Sequence, residues 1–203
     1  MSIAGAVLAA GRSARMGKPK ALLDFRGRPF VIAVLEALEA LDLKHRVVVL
    51  GADAERIRPH ITTHSCILVE NPDPDSGPIG SLRLALDALE AVRPKALLAW
   101  PVDIPHVRLT TVERLIDTAE RTLAPVVVPT FGDRRGHPVI WSEALFSELR
   151  ESEAATRDGA RAVLRGHSGE ITHVAVDDPA VIDDIDTPED YERLIREINR
   201  DAF

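Results

Sequence analysis

The stretch Leu8 to Lys20 constrains this chain more than any other: Leu-Ala-Ala-Gly-Arg-Ser-Ala-Arg-Met-Gly-Lys-Pro-Lys. It follows a short apolar run, Ile3 to Leu8, that reads as a buried first strand. Within thirteen residues it holds two glycines, two arginines and two lysines, and no acid. Gly11 and Gly17 let a ligand approach the backbone closely or allow positive φ. Arg12, Arg15, Lys18 and Lys20 bring positive charge to the same turn. A cationic, glycine-containing loop at the carboxyl end of a first strand suits phosphates. It is not a P-loop: five residues separate Gly11 from Gly17, and Pro19 stands where the magnesium-binding hydroxyl would be. The dinucleotide fingerprint G-x-G-x-x-G is also missing. A basic, solvated loop is the plain alternative.

At 203 residues the chain suits one domain, 1–203, with a sizeable core. Its net charge of −7 argues against a general nucleic-acid or anionic-membrane binder. A cationic loop in an acidic chain points instead to a small anionic ligand. Cys66 is the only cysteine, so no intrachain disulfide forms, and a reducing, cytoplasmic setting is expected. No signal peptide and no bilayer-length apolar run is visible.

Apolar spacing predicts strands at Val47–Leu50, Cys66–Val69, Ala96–Trp100, Val126–Val128, His137–Trp141 and Ile171–Val176. It predicts helices at Phe30–Leu41, Ala54–His60, Leu109–Leu123, Ser142–Arg150 and Gly159–Leu164. The Pro, Asp and Gly of Asn71 to Gly80 predict a loop, with Ser81 as N-cap of a helix through Val92. Thr187 predicts the cap of a last helix, with Pro188 at its first position. Strands alternating with helices give a parallel α/β sheet with helices on both faces, and the final third adds an antiparallel edge.

In such a sheet, ligands bind beyond the carboxyl ends of the strands. Asp103 lies there, after Ala96–Trp100 and before Ile104-Pro105. Asp186 lies just before the last helix. Paired carboxylates suit Mg²⁺, which takes oxygen ligands and substrate phosphates. The same positions also suit a turn residue and an acidic helix start. Gly80 and Ser81 open a helix near a strand end and could meet a nucleobase. A simple cap would look the same. His137 could contact an acceptor or merely pair across a sheet. His60, His64 and Cys66 have spacing a soft metal could use, but lack a fourth ligand.

The order of residues from Leu8 to Lys20 closely resembles the signature of sugar-phosphate-type nucleotidyltransferases. Within them it is most similar to the molybdenum cofactor cytidylyltransferase branch, Leu-Ala-Ala-Gly-x-Ser-x-Arg-Met-Gly-x-Pro-Lys, with every fixed position present. Asp103-Ile104-Pro105 resembles that branch's metal-binding Asp-x-Pro. Gly136-His137-Pro138 resembles its Gly-His-Pro, and Asp184 to Tyr191 its Asp-Ile-Asp-Thr-Pro-Glu-Asp-Tyr. The resemblance runs from Ala4 to about Leu194. It implies a Rossmann-like, three-layer, GT-A-like nucleotidyltransferase fold with a mostly parallel sheet. It further implies Mg²⁺, a nucleoside triphosphate and a phosphorylated acceptor such as the molybdopterin cofactor, with a molybdoenzyme as a candidate partner.

On this reading Leu8, Ala9, Ala10, Gly11, Arg12, Ser13, Lys20, Gly80 and Ser81 bind the nucleotide. Lys20, Arg15 and Asp103 are catalytic, Asp103 and Asp186 hold metal, and His137 meets the acceptor. The chain departs from the branch at three places. Asp24 stands where proline is usual, Gly77 to Ser81 lacks the Met-Ser-Ser character, and Thr156 to Ala160 replaces Gly-Asp-x-Gly-Ala. Three rivals to the CTP reading remain open: a guanylyltransferase of the same fold, a dinucleotide-dependent oxidoreductase, and a non-catalytic nucleotide-binding chaperone for a molybdoenzyme.

Overall fold

A computed structural model describes residues 1–201. β1 (Ile3–Ala9) is an interior strand of the main sheet, and its uninterrupted apolar sequence is what burial on both faces demands. β4 (Arg46–Leu50) and β5 (Ile67–Glu70) pair in parallel on one side of it. β6 (Ala96–Pro101) pairs in parallel on the other side. A small hairpin, β2 (Asp24–Phe25) with β3 (Arg28–Pro29), stands apart. Beyond β6 the sheet continues through β9 (Val139–Ser142), β7 (Val126–Phe131) and β10 (Ile171–Ala175), with β8 (Arg134–Arg135) paired to β7. The mixed α/β fold with a mostly parallel sheet is therefore as expected.

The helices form two outer layers. Val48 and Leu50 of β4 point into one core with α1 (Phe30–Ala40), α2 (Ala54–Ile61), α4 (Leu109–Thr122) and Leu194 of α8 (Pro188–Asp201). Val47 and Val49 point into the other core. That side holds α3 (Gly77–Ala88), α5 (Phe146–Glu151), α6 (Glu153–Asp158) and α7 (Ala160–Gly166). Period-two alternation along one strand thus serves both layers. Each fully buried Val or Leu contributes roughly 1.5–3 kcal/mol of transfer free energy. Among the described residues, no helix is long and apolar enough to cross a membrane.

Four expectations need correction. The antiparallel strand is not an edge: β9 lies between β6 and β7, and Val139, Ile140 and Trp141 are all buried. An apolar run buried on both faces belongs inside a sheet. The segment Asn71 to Gly80 is not all loop, because α3 starts at Gly77 after a short turn at Pro74–Ser76. Pro78 reads as a breaker by composition, yet in a first turn its fixed φ favours the helix. Ser81 is therefore no N-cap, and α3 stops at Ala88 rather than Val92. Finally, the helix expected at Ser142–Arg150 is present, as a turn at Glu143–Leu145 capped by Ser142 and running directly into α5, but α6, capped by Ser152, had no counterpart among the expected helices.

Gly51, at the exit of β4, fits the backbone of the Leu8–Lys20 loop. A Cβ there would stand 2.3 Å from the Ala10 carbonyl oxygen, whereas a Cβ on Gly11 would meet nothing within 4 Å. Gly51→Ala is expected to destabilise by about 1–3 kcal/mol, and Gly11→Ala to change stability by less than about 0.5 kcal/mol. Urea unfolding of both variants checks this, and equal midpoints would refute it.

Candidate active site

The chain runs from β1 outward to β4 and β5, then returns to β6 on the other side of β1. This reversal makes a crevice at the strand carboxyl ends. A cavity of about 1020 Å³ opens there. The loop after β1 forms one wall and the first turns of α3 another. Arg135 to His137 and the face of α7 close the far side.

Local bonds shape the loop. Ser13 has φ +51° and Gly17 φ +72°, and the amides of Met16 and Gly17 both donate to the Ser13 carbonyl, at 3.0 and 3.2 Å. The Ser13 hydroxyl accepts from the Lys20 amide at 2.9 Å, so this serine fixes the end of the loop. Met16 buries its side chain in the core beneath. Lys18 turns away and lies over the Tyr191 ring, 5.3 Å from its centroid. Arg12 pairs with Asp75 at 2.7 Å; both are well exposed.

Lys20, with only 13% of its side chain exposed, donates from Nζ to Asp103 Oδ2 at 3.1 Å and to Asp186 Oδ1. Arg15 Nη2 reaches Asp186 Oδ2 at 2.6 Å. Three predicted groups thus meet at one ammonium, with Arg15 beside them. Asp103 is placed by the Val102 amide, which donates to Leu8 O at 3.1 Å, and by its own carbonyl, which accepts from Ile185 N at 2.9 Å. Asp186 is placed by the start of α8. There Asp190 Oδ2 accepts from the amides of Asp186 and Thr187, while the Thr187 hydroxyl accepts from Asp190 N. This reciprocal cap is why the Thr-Pro-Glu-Asp sequence starts a helix.

Burial opposes the charge on Asp186, but hydrogen bonds and charge from Lys20, then Arg15, outweigh it and hold its pKa below the ordinary carboxylate value. Asp184 goes the other way: burial first, then the charge of Asp103, raises it. His137 lies deeper in the cavity wall, its amide donating to Val181 O at 2.8 Å. Burial lowers its pKa, against the pull of Asp184 and Asp103, and favours neutral imidazole. Neutral imidazole can donate from one nitrogen and accept at the other.

Leu8 to Ser13, Arg15, Lys20, Ser81, Asp103, His137 and Asp186 all line the cavity, and Gly80 does not. A Cβ at Gly80 would stand 1.9 Å from Ser76 Oγ, so this glycine serves packing inside α3. Ser81, 4% exposed, accepts from Asn71 Nδ2 at 3.3 Å. Sequence reasoning missed Arg135, Arg161 and Arg165 on the far wall. The signal for the last two was their four-residue spacing on one helix face.

Two carboxylates that already share one cation are a donor set suited to a divalent ion, and the pair fits one that takes its other oxygens from phosphate or water. Among the described residues, no group of three or more His, Cys, Asp or Glu side chains is placed to hold a metal ion, and His60, His64 and Cys66 form no such group.

A phosphate-suited loop facing paired carboxylates across the switch point of a parallel sheet is the arrangement expected of a nucleotidyltransferase. Residues 5–173 match the MobA-like NTP transferase domain, and the chain belongs to that family. The nicotine blue oxidoreductase of Paenarthrobacter nicotinovorans is 33% identical, over 95% of this chain and 96% of that protein. The molybdenum cofactor guanylyltransferase of Rhodobacter capsulatus is 27% identical over 100% of both. Among solved structures, Rv0371c of Mycobacterium tuberculosis is 28% identical with a TM-score of 0.80, covering 97% of this chain and 98% of its own. The same protein in complex with manganese is 29% identical with a TM-score of 0.74, covering 97% and 99%.

The neutral state of His137 has a pH signature. Its native pKa lies below the ordinary 6.5, so between the two values the unfolded chain binds a proton that the native state refuses. Stability from this group is complete above pH 6.5 and declines as pH falls from there to the native pKa. The His137 ring should titrate by NMR with a midpoint below 6.5, and His137→Gln should reduce the loss of stability in that window. A midpoint at or above 6.5 would refute this.

Proposed function

We propose that this chain transfers CMP from CTP to a phosphorylated acceptor, such as the molybdopterin cofactor, with Mg²⁺ as cofactor. The observation that carries the reading is the Lys20 ammonium shared by Asp103 and Asp186 at the mouth of the loop. An acceptor phosphate oxygen forms a bond to the α-phosphorus. The bond from that phosphorus to the α,β-bridging oxygen breaks, and pyrophosphate leaves with the electron pair. Such transfers depend on alignment and charge compensation.

Backbone N–H groups of Ala10 to Ser13 cradle the triphosphate, and Arg15 and Lys20 compensate its charge. Lys20 lies nearest the transferred group. Asp103 and Asp186 hold Mg²⁺, which supplies Lewis-acid charge neutralisation when bound. His137 contacts the acceptor. No covalent intermediate is required.

The preference for cytosine rests on Ala9 and Ala10, whose Ala-Ala-Gly form resembles pyrimidine-using members, and on Ser81 within reach of the same cavity. The guanylyltransferase name of the full-length Rhodobacter relative supports GTP as a second reading. The name of the Paenarthrobacter relative raises an oxidoreductase reading. Against it stands the missing G-x-G-x-x-G, and NAD(P)H binding would be needed to revive it. A base pocket that pairs polar edges discriminates strongly, because the wrong base leaves buried groups unpaired.

Pyrophosphate release with each nucleotide across a panel of phosphorylated acceptors, with calorimetry of nucleotide binding, tests the reading. CTP is expected to bind and react best. Tighter GTP binding would select the guanylyltransferase, and equal weak binding of all nucleotides a non-catalytic module. Asp103→Asn is expected to fold and to lose roughly two or more decades of turnover; near-normal release would remove Asp103 from the site.

Lys20→Ala is expected to lower kcat more than nucleotide affinity, because its charge is best matched in the transition state. Lys18→Ala should be milder, since Lys18 lies over Tyr191. Steady-state kinetics of both variants set the order, and a larger kcat loss at Lys18 reverses the assignment.

A further inference from the structure

We propose that His106 is a positioning residue for the carboxylate pair and acts through Asp183. The inference rests on Asp103 and Asp186 as cation ligands. His106 follows Asp103 by three residues, and Asp183 precedes Asp186 by three. Their side chains meet: His106 Nε2 lies 3.3 Å from Asp183 Oδ2, and the His106 side chain is only 12% exposed. Both ring nitrogens are buried and make no hydrogen bond to any described residue. The imidazole faces the Asp183 carboxylate at near hydrogen-bonding distance.

From Asp183 the line continues to the ligand itself. Asp183 Oδ1 accepts from Arg193 Nη2 at 2.5 Å, and Arg193 Nη1 donates to Asp190 Oδ1 at 3.0 Å. Asp190 Oδ2 then accepts from the Asp186 amide at 3.2 Å. A second tie, from Ile185 N to Asp103 O at 2.9 Å, joins the same two segments through their backbones. Ile104 and Ile185, both fully buried in one core, anchor the same segments, and the backbone tie joins them at one point. The His106–Asp183 contact adds a side-chain tie on the flank of the two carboxylates and so sets their spacing. Proximity to His106 and the charge of Arg193 hold Asp183 below the ordinary carboxylate pKa against its burial, so it stays charged for this purpose.

A purely packing role would be served better by an apolar side chain, because buried polar atoms without partners cost stability. Groups that orient metal ligands commonly change metal affinity by roughly 10–100-fold when removed.

The test uses Mn²⁺ as probe, with the full chain and CTP, following free Mn²⁺ by electron paramagnetic resonance. His106→Leu, of similar volume, is expected to weaken Mn²⁺ binding by roughly tenfold or more. CTP affinity without metal should be unchanged. His106→Gln, which keeps a side-chain N–H, should recover most of the loss. Asp183→Asn should lose a similar amount, and the double variant should be no worse than the poorer single one. Unchanged Mn²⁺ affinity in His106→Leu, or equal losses in the Leu and Gln variants, overturns the proposal. Should His106→Leu not fold, unchanged Mn²⁺ affinity in Asp183→Asn does the same. A wild-type chain that takes up no Mn²⁺ with CTP present overturns the ligand reading of Asp103 and Asp186, and the role of His106 with it.

Discussion

The Lys20 ammonium between Asp103 and Asp186 is the interaction the rest of the site is arranged around. The two carboxylates stand 83 and 166 residues from it in sequence. Brought together without a cation they would repel, and one would be driven to take up a proton. Asp184 shows the tendency, since burial and the charge of Asp103 raise its pKa. Asp186 escapes it because Lys20 and Arg15 reach it directly. Each partner is then held from behind: Lys20 through Ser13, Asp103 through Ile185, and Asp186 through Asp190.

The sheet makes the encounter possible. β1 and β6 are parallel neighbours in register from Ile3 with Ala96 to Leu8 with Pro101, so the loop and Asp103 leave the sheet at the same level. The third group comes from the start of α8, after the chain has crossed beside β7 and bonded Val181 O to His137 N. The Ala10–Gly51 contact adds β4 to the arrangement. Its cost if filled is steric and local, because backbone meets backbone and neither can yield as a flexible side chain would.

Much of this was legible in the sequence for a physical reason. Buried strands read as apolar runs, and residues that must follow a strand end carry their position with them. The loop, Asp103 and the capped start of α8 were all of this kind. The place of β9 was not legible, because an apolar run says that both faces are buried but not between which neighbours. Ser81 was misread because a serine after glycine and proline looks the same before a helix as inside its second turn. The β8 strand is two residues long and carries no period. His106 was invisible, since its partner lies 77 residues on, and only the closure of the sheet brings Asp183 to it.

The loop's positive charge is largely paired within the chain. Arg12 holds Asp75, Arg15 holds Asp186, and Lys20 holds both site carboxylates. These pairs differ in strength. The Arg12 pair is exposed on both sides and is worth about 0–1 kcal/mol, so a phosphate displaces it at little cost. Arg15 is 70% exposed, but its partner Asp186 is only 29% exposed. Lys20 is enclosed and shared, and it cannot leave Asp103 and Asp186 for an anion without exposing two carboxylates to each other. A bare triphosphate therefore gains little from Lys20. Under the proposed reaction a triphosphate carrying its own divalent cation would satisfy both sides, because Asp103 and Asp186 would keep a cation while the Lys20 ammonium turned to phosphate. This exchange, rather than a standing excess of positive charge, would then be what lets an acidic chain bind a polyanion at this turn.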